Sequence, residues 1–204
     1  MGRHVREVPL LVASVILSLQ AAPAFGDAQS PWEPVVLAQY SGVATDSRVQ
    51  SRGCGWCEVA WRAPDGTITS RGIHSGQLQP LVSHGPGRDP TMDLGLHGVY
   101  LAWASGSEIK LIHSDDAWSE ETILSSSFHE PTRFPEMSAS ATGLWPDIAW
   151  LEGARVMFAA ALPGDNGYGS AEVVATDTRP YDGMGLQVEL TQAGRPRVYY
   201  FNAS

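Results

Sequence analysis

The sequence predicts an all-β protein built as a β-propeller of about four blades, the last one completed by the N-terminal strand or left incomplete. Short runs rich in aromatic and β-branched residues alternate with turn residues, as in antiparallel strands joined by hairpins. An apolar run that ends in a large aromatic residue recurs at Trp61, Trp103, Trp150 and Tyr200, with spacings of 42, 47 and 50 residues. Repeats of about 40 to 50 residues with four strands each are typical of propeller blades.

Residues 1–26 read as a secretory signal peptide, which leaves residues 27–204 as the propeller domain. Two arginines precede the apolar run Val8–Leu19, and small residues around Ala24 offer a cleavage site. The apolar run has 12 residues, whereas a membrane-spanning helix needs about 20. We therefore expect a secreted or periplasmic protein, with an uncleaved N-terminal anchor as the alternative.

The composition argues against two classes of partner. The chain has a formal net charge of −9, and Lys110 is its only lysine. An acidic surface repels both the phosphate backbone of nucleic acids and anionic lipid headgroups. We expect no nucleic-acid partner, and no membrane partner once the signal peptide is removed.

Cys54 and Cys57 are the only cysteines and form a C-x-x-C pair. Such a pair performs thiol–disulfide exchange when the first cysteine begins a helix, but the residues that follow, Glu58–Trp61, read as a strand. Disulfides persist in exported proteins. The sequence therefore predicts a disulfide between Cys54 and Cys57 that closes a turn, with a redox site as the alternative.

Each repeat continues beyond its aromatic strand with a turn, a third strand and a fourth strand. The third strands are expected at Thr67–Ile73, Glu108–His113 and Arg155–Ala161, and the fourth strands at Leu78–Ser83, Trp118–Ser125 and Ala171–Ala175. Trp32–Leu37 resembles these fourth strands although it precedes the first repeat. A propeller can use such a leading strand to complete its last blade.

The last repeat contains two predicted strands, at about Met184–Leu190 and Arg197–Phe201. We expect an incomplete closing blade, a chain that is a fragment, or a ring completed by a neighbouring subunit in a homo-oligomer. A β-sandwich also has many short strands and glycine- or proline-rich turns. The repeated tryptophan favours the propeller, because a sandwich has no reason to repeat at this period.

Two turns carry the residues of a degenerate motif. Ser114-Asp115-Asp116 precedes Trp118, and Asp165-Asn166-Gly167 lies in the next repeat. They resemble the S-x-D-x-G-x-T-W box of the sialidase-type, Asp-box (BNR-repeat) propellers, and the resemblance covers nearly all of the chain after residue 26 as a blade pattern. In that family the box stabilises a turn away from the active site. The resemblance therefore implies the fold, whereas function has to be argued from the site.

One arginine stands in each predicted loop that leads into a new blade: Arg48, Arg88, Arg133 and Arg179, with spacings of 40, 45 and 46 residues. In a propeller these loops gather around the mouth of the central channel. Guanidinium groups bind carboxylates with two parallel hydrogen bonds, and the resemblance implies an arginine cluster that holds an acidic sugar. The sequence predicts non-catalytic binding of a glycan or small acidic ligand by these four arginines.

Two other functions remain open at this point. Acidic neighbours such as Asp46, Asp89 and Glu136 can pair with the arginines and fix the blades, as in a structural or protein-interaction module. The resemblance also implies a sialidase-like glycoside hydrolase with a tyrosine nucleophile, a glutamate that activates it and an aspartate acid/base, for which Tyr181 and Asp89 are components. No motif fixes a Tyr/Glu pair, so the sequence predicts no catalytic residue and leaves an enzymatic role uncertain.

The histidines do not suggest a metal. His84 and His129 occupy matching repeat positions, which places them one blade apart rather than in one coordination sphere. The chain has no H-x-H or H-E-x-x-H spacing. We expect no metal and no other cofactor.

Overall fold

The computed structural model describes residues 13–18, 34–53, 55–95, 98–114, 118, 122–139, 145–163, 167–176, 186–190 and 196–200. These residues form an all-β structure, and none of them lies in a helix that could cross a membrane. The strands are β1 (Ala13–Ser18), β2 (Pro34–Tyr40), β3 (Thr45–Gly53), β4 (Trp56–Arg62), β5 (Thr67–His74), β6 (Gln77–Leu78), β7 (Val82–Pro86), β8 (Arg88–Gly95), β9 (Gly98–Ser105), β10 (Glu108–Ser114), β11 (Thr122–Ser125), β12 (Thr132–Ser138), β13 (Asp147–Glu152), β14 (Arg155–Ala159), β15 (Glu172–Ala175), β16 (Leu186–Leu190) and β17 (Pro196–Tyr200).

The strands form successive antiparallel sheets in chain order. In the first sheet β3, β4 and β5 are neighbours, and both β6 and β7 pair with β5. The second sheet is β8–β9–β10–β11 and the third is β12–β13–β14–β15. The described part of the fourth sheet is the hairpin β16–β17, and β1 pairs with β2. The predicted order of four strands per repeat thus matches the second and third sheets.

The second strand of each of the first three sheets is buried on both faces. Trp61, Trp103 and Trp150 are at most 1% exposed. Strands that are apolar on both faces need cover on both sides, and the sheets stack face to face to provide it. The repeated tryptophans are therefore core residues that pack between neighbouring layers of strands.

Three apolar clusters lie between these layers. In the first, Leu37 of β2 packs with Val59 and Trp61 of the first sheet. The second cluster joins Ala60 and Ile68 of the first sheet to Leu101 and Trp103 of the second. The third joins Tyr100, Ala102 and Leu111 of the second sheet to Ile148 and Trp150 of the third. The layers therefore follow the chain: β2, then the first, second and third sheets.

The first strands of the sheets are also neighbours of one another. β3 contacts β8, β8 contacts β12, and β12 contacts β16. None of the sheets is closed on itself. Closure of the sheets into a ring stays a prediction.

The first strands of the first three sheets, β3, β8 and β12, share a β-bulge near their start. The register shifts between Thr45 and Arg48, between Arg88 and Thr91, and between Arg133 and Glu136. Asp46, Asp89 and Phe134 occupy the matching bulge position, with φ of 55°, 52° and 47°. The sequence predicted loops here, which is wrong: these segments belong to strands. Aspartate and proline are turn residues, but bulges accommodate both.

Strand β1 lies inside the segment predicted to be a signal peptide and pairs with β2. The rest of residues 1–26 lies outside the described residues, so the signal peptide stays a prediction. β2 also contacts the first sheet, where two side chains of that sheet hold it by hydrogen bonds. Arg71 donates to the Leu37 carbonyl, and Trp61 Nε1 donates to the Tyr40 hydroxyl at 3.1 Å.

Candidate anion-binding site

Three of the four predicted site arginines lie in the described part of the chain, and Arg179 does not. Arg88 and Arg133 stand at matching positions, directly before the bulges of β8 and β12. In β3 that position is Thr45, and Arg48 follows the bulge, where β8 has Thr91 and β12 has Glu136. Arg48 is therefore offset by three residues from the position that Arg88 and Arg133 share.

The three arginines have different surroundings. Arg88 is half-buried, and its Nη2 donates to the Thr132 carbonyl at 3.0 Å, which ties the second sheet to the third. Arg48 is exposed and donates to the neighbouring Ser47 carbonyl at 3.3 Å. Arg133 is also exposed. Of the three, Arg88 lines the pocket on which the candidate site is built.

This pocket lies between the first and second sheets and has a volume of about 150 Å³. Its wall consists of Arg62, Pro86, Gly87, Arg88, Ala104, Ser105 and Gly106. Arg62 ends β4 and Arg88 begins β8, so each of the two sheets contributes one arginine to the wall. The connection between the sheets is fixed by the Gly87 amide, which donates to the Gly66 carbonyl at 3.0 Å.

Arg62 has no counterpart in the other repeats. Its Nε is buried and has no acceptor, and its guanidinium forms no hydrogen bond or ion pair with the residues that the structure describes. A buried donor without an acceptor costs about 1–3 kcal/mol. The sequence analysis missed this residue. The sequence did contain a signal. The residue that follows the repeated tryptophan is apolar in the second and third repeats (Ala104 and Leu151), but in the first repeat it is the charged Arg62.

A second buried donor lies behind Gly87, one of the residues that line the pocket. Trp103 is 1% exposed, and its Nε1 has no acceptor among the described residues. The Nε1 edge of its ring lies against Gly87. A Cβ added at Gly87 would lie 2.2 Å from Trp103 Cδ1 and 2.9 Å from Nε1. The indole N–H therefore reaches its position only because residue 87 lacks a side chain.

Asp89 and Glu136, two of the acids expected to pair with the arginines, bond across the second and third sheets, as does Asp93. Asp89 accepts from the Phe134 amide at 3.3 Å, and Asp93 accepts from the Ala139 amide at 2.6 Å. Thr91 donates to Glu136 at 3.4 Å. Burial raises the pKa of all three carboxyls, although Arg48 opposes the shift at Glu136 and Arg88 opposes it at Asp89. These contacts explain how the two sheets are joined.

His84 is held between the first and second sheets as a neutral side chain. Its Nε2 shares a hydrogen bond of 2.8 Å with Ser70 Oγ, and its ring meets Trp118 edge to face at 4.9 Å between centroids. Burial lowers the pKa of His84 to about 4. Ser70 is fully buried, so no substrate reaches this pair. No three His, Cys, Asp or Glu residues gather as a metal site in the described ranges.

Cys57 is buried in the cluster with Leu37, Val59 and Trp61, and is a free thiol among the described residues. Burial raises the pKa of the Cys57 thiol, whereas reactive cysteines have lowered pKa values. Cys54 lies outside the described residues. The predicted disulfide between Cys54 and Cys57 therefore stays a prediction.

No protein-family model matches the chain, and no curated protein matches it. The resemblance to Asp-box propellers therefore depends on this chain's own residues. Of the two degenerate boxes, Asp115, Asp116, Asp165 and Asn166 lie outside the described residues, as does Tyr181.

Proposed function

We propose that the chain is an exported β-propeller of about four blades that binds a small anionic ligand at the Arg62–Arg88 pocket and does not turn it over. The stacking of successive sheets in chain order, with each first strand beside the next, is the relation that consecutive blades have around an axis. β2 covers the first sheet as the outer strand of a preceding blade would. Kinship with the sialidase-type Asp-box propellers belongs to this proposal and is supported by the residues of the blade pattern.

The unpaired guanidinium of Arg62 carries the proposal. Its Nε is buried, and a buried polar group is normally hydrogen-bonded, because leaving it without an acceptor is costly. Arg62 has no partner in the described chain, and it faces a pocket that holds a second arginine. A guanidinium offers five N–H donors that match the oxygens of a carboxylate or phosphate. An anion would supply the acceptors that the protein does not.

The charge and size of the pocket narrow the ligand. The chain as a whole is acidic, with a formal charge of −9, so a pocket walled by two arginines is a local reversal of sign that favours small anions. The volume of about 150 Å³ is small beside the roughly 300–1,000 Å³ of pockets that hold drug-sized ligands. This is room for an acidic group with a few carbon atoms. A glycan would bind by inserting one terminal acidic residue.

The lining of the pocket supports binding rather than catalysis. Glycoside hydrolases work with a pair of carboxyl groups in most families, and with a tyrosine nucleophile in sialidases. Among the described residues, those that line this pocket include no carboxyl, histidine, cysteine or tyrosine side chain. None of them can transfer a proton at neutral pH as a general acid or base.

Thermal unfolding with added ligand tests this proposal. Acetate, glucuronate and N-acetylneuraminate should raise the Tm, whereas neutral glucose should not. At 100 times its Kd, a ligand stabilises by about 2.7 kcal/mol, or about 5 to 10 °C for a chain of this size. Arg62→Leu should abolish the shift, and the matched control Arg48→Leu, at an exposed arginine outside the pocket wall, should keep it.

Three results would overturn the proposal. The first is a Tm that no anion changes, and the second is a shift that Arg62→Leu leaves intact. The third is hydrolysis of a fluorogenic sialoside by the purified chain, which would replace binding with sialidase-like catalysis.

A further inference from the structure

We infer that the group bound in the pocket is a carboxylate, held where the next repeat holds the side-chain carboxylate of Glu152. The inference rests on the proposed function and names the chemical class of its ligand. It comes from a comparison of two matching places in one chain, which are occupied by different residues.

The backbone shows that the two places correspond. Pro86-Gly87-Arg88 leads into the second sheet as Pro131-Thr132-Arg133 leads into the third. The Gly87 amide donates to the Gly66 carbonyl at 3.0 Å, and the Thr132 amide donates to the Gly106 carbonyl at 2.9 Å. Counting from the buried tryptophans, Ser105 stands two residues after Trp103, as Glu152 stands two residues after Trp150. Residues two apart on a strand share one face, so Ser105 and Glu152 occupy equivalent positions.

In the third sheet a carboxylate fills this place. Glu152 is fully buried, and its Oε2 accepts from Trp150 Nε1 at 3.3 Å. Its Oε1 accepts from Ser126 Oγ at 2.6 Å and from the Glu130 amide at 3.1 Å. The indole N–H is thus satisfied by one carboxylate oxygen, while other donors hold the second oxygen.

In the second sheet the same place lacks its acid. Ser105 replaces the glutamate, and Trp103 Nε1 has no acceptor among the described residues. On the facing sheet Arg62 stands where the next repeat has Ala104, so the site has lost a carboxylate and gained a guanidinium. A ligand carboxylate restores both deficits, because one oxygen accepts from the indole N–H and the other from Arg62.

In the first repeat, as in the third, the indole N–H of the buried tryptophan has an acceptor among the described residues, unlike that of Trp103 in the second repeat. In the first repeat Trp61 Nε1 donates to the Tyr40 hydroxyl at 3.1 Å. Two of the three buried tryptophans therefore have an acceptor from the protein, and the third lies behind Gly87, which lines the pocket together with Arg62. The Glu152 site holds a planar group with two oxygens, which matches a carboxylate more closely than a tetrahedral phosphate or sulfate.

Ser105→Glu is the direct test, with Ser105→Gln as the matched control. If a carboxylate belongs in this place, the new side chain acts as a built-in ligand. Ser105→Glu should raise the Tm by at least about 3 °C over Ser105→Gln, and it should abolish the response to acetate. Adding Arg62→Leu should remove that gain, since the two residues then act as a pair. A Tm for Ser105→Glu at or below that of Ser105→Gln would overturn the inference.

A measurement on the wild-type chain keeps the test decisive if Ser105→Glu does not fold. The indole N–H resonance of Trp103, assigned with Trp103→Phe, should shift on titration with acetate. An Arg62-dependent response to phosphate or sulfate but not to acetate would overturn the carboxylate inference and leave the proposed function standing. If no anion binds the wild-type chain, the proposed function itself fails.

Discussion

Titration of His84 should make the stability of the protein depend on pH, and substitution of this one residue should remove its contribution. The ring lies between the first and second sheets, bonded to Ser70 and packed against Trp118. Burial lowers its pKa from 6.5 to about 4. The neutral ring fits this place, whereas the charged ring requires a hydration that the folded protein does not supply.

The direction and size of the effect follow from the two pKa values. The unfolded chain takes up a proton at His84 near pH 6.5 and the folded chain only near pH 4, so the unfolded chain binds more protons in between. The stability is therefore fully present above pH 7 and is lost as the pH falls through 6.5 towards 4. A difference of about 2.5 pKa units corresponds to about 3 kcal/mol in the free energy of unfolding.

Urea unfolding from pH 7.5 to pH 4 measures this loss in the wild type and in His84→Gln. Glutamine does not titrate and can still bond Ser70. Four half-buried carboxyls with raised pKa values, those of Asp89, Asp93, Asp147 and Glu136, add stability as the pH falls. They are present in both proteins, so their contribution cancels in the difference between the two pH profiles.

The wild type should thus lose about 3 kcal/mol more than His84→Gln over this range. His129→Gln is the control, because His129 occupies the matching repeat position but is exposed; its profile should follow the wild type. The reasoning fails if the wild type and His84→Gln lose the same free energy, or if His129→Gln flattens the profile equally.

Two further substitutions test the packing around the site by chemical denaturation. Gly87→Ala should lower the free energy of unfolding by about 1–3 kcal/mol, since its Cβ would lie 2.2 Å from Trp103 Cδ1. Gly169→Ala, whose Cβ would meet nothing closer than 3.8 Å, is its control, and an equal loss in both would contradict the clash. Glu152→Gln should cost about 2 kcal/mol because an amide nitrogen replaces an accepting oxygen; the exposed Glu172→Gln should cost almost nothing, and a neutral Glu152→Gln would refute the assigned bonds.

Strand order was predictable from the sequence because it depends on local pattern. The aromatic strands, the third strands and the hairpin β16–β17 follow from alternating apolar runs between turn residues. The starts of β3, β8 and β12 were misread as loops. Pro90, Pro135 and the aspartates at the bulges, Asp46 and Asp89, are turn residues, and only the pairing with the adjacent strand shows that they lie inside a ladder.

The site was only partly predictable. Arg88 was identified from its repeat position, but Arg48 was aligned with it wrongly because the bulges shift the register within each of these strands. Arg62 and Trp103 were missed as site residues, since a missing hydrogen-bond acceptor is a property of the packed structure. No sequence pattern shows whether an indole N–H between two sheets finds a partner.

The difference between the Glu152 position and the matching Ser105 position indicates why the chain has a pocket beside Ser105. Stability alone favours the arrangement around Glu152, which accepts from Trp150, Ser126 and Glu130, over the arrangement around Ser105, where two buried donors find no acceptor in the described part of the chain. Residues that break a local rule in this way are expected where function requires them. The sign of one measurement tests this. Arg62→Leu places a leucine where the third sheet has Leu151, so it should raise the free energy of unfolding by about 1 kcal/mol while abolishing the anion response. An arginine that served only to join the sheets would give the opposite result, a loss of stability on removal.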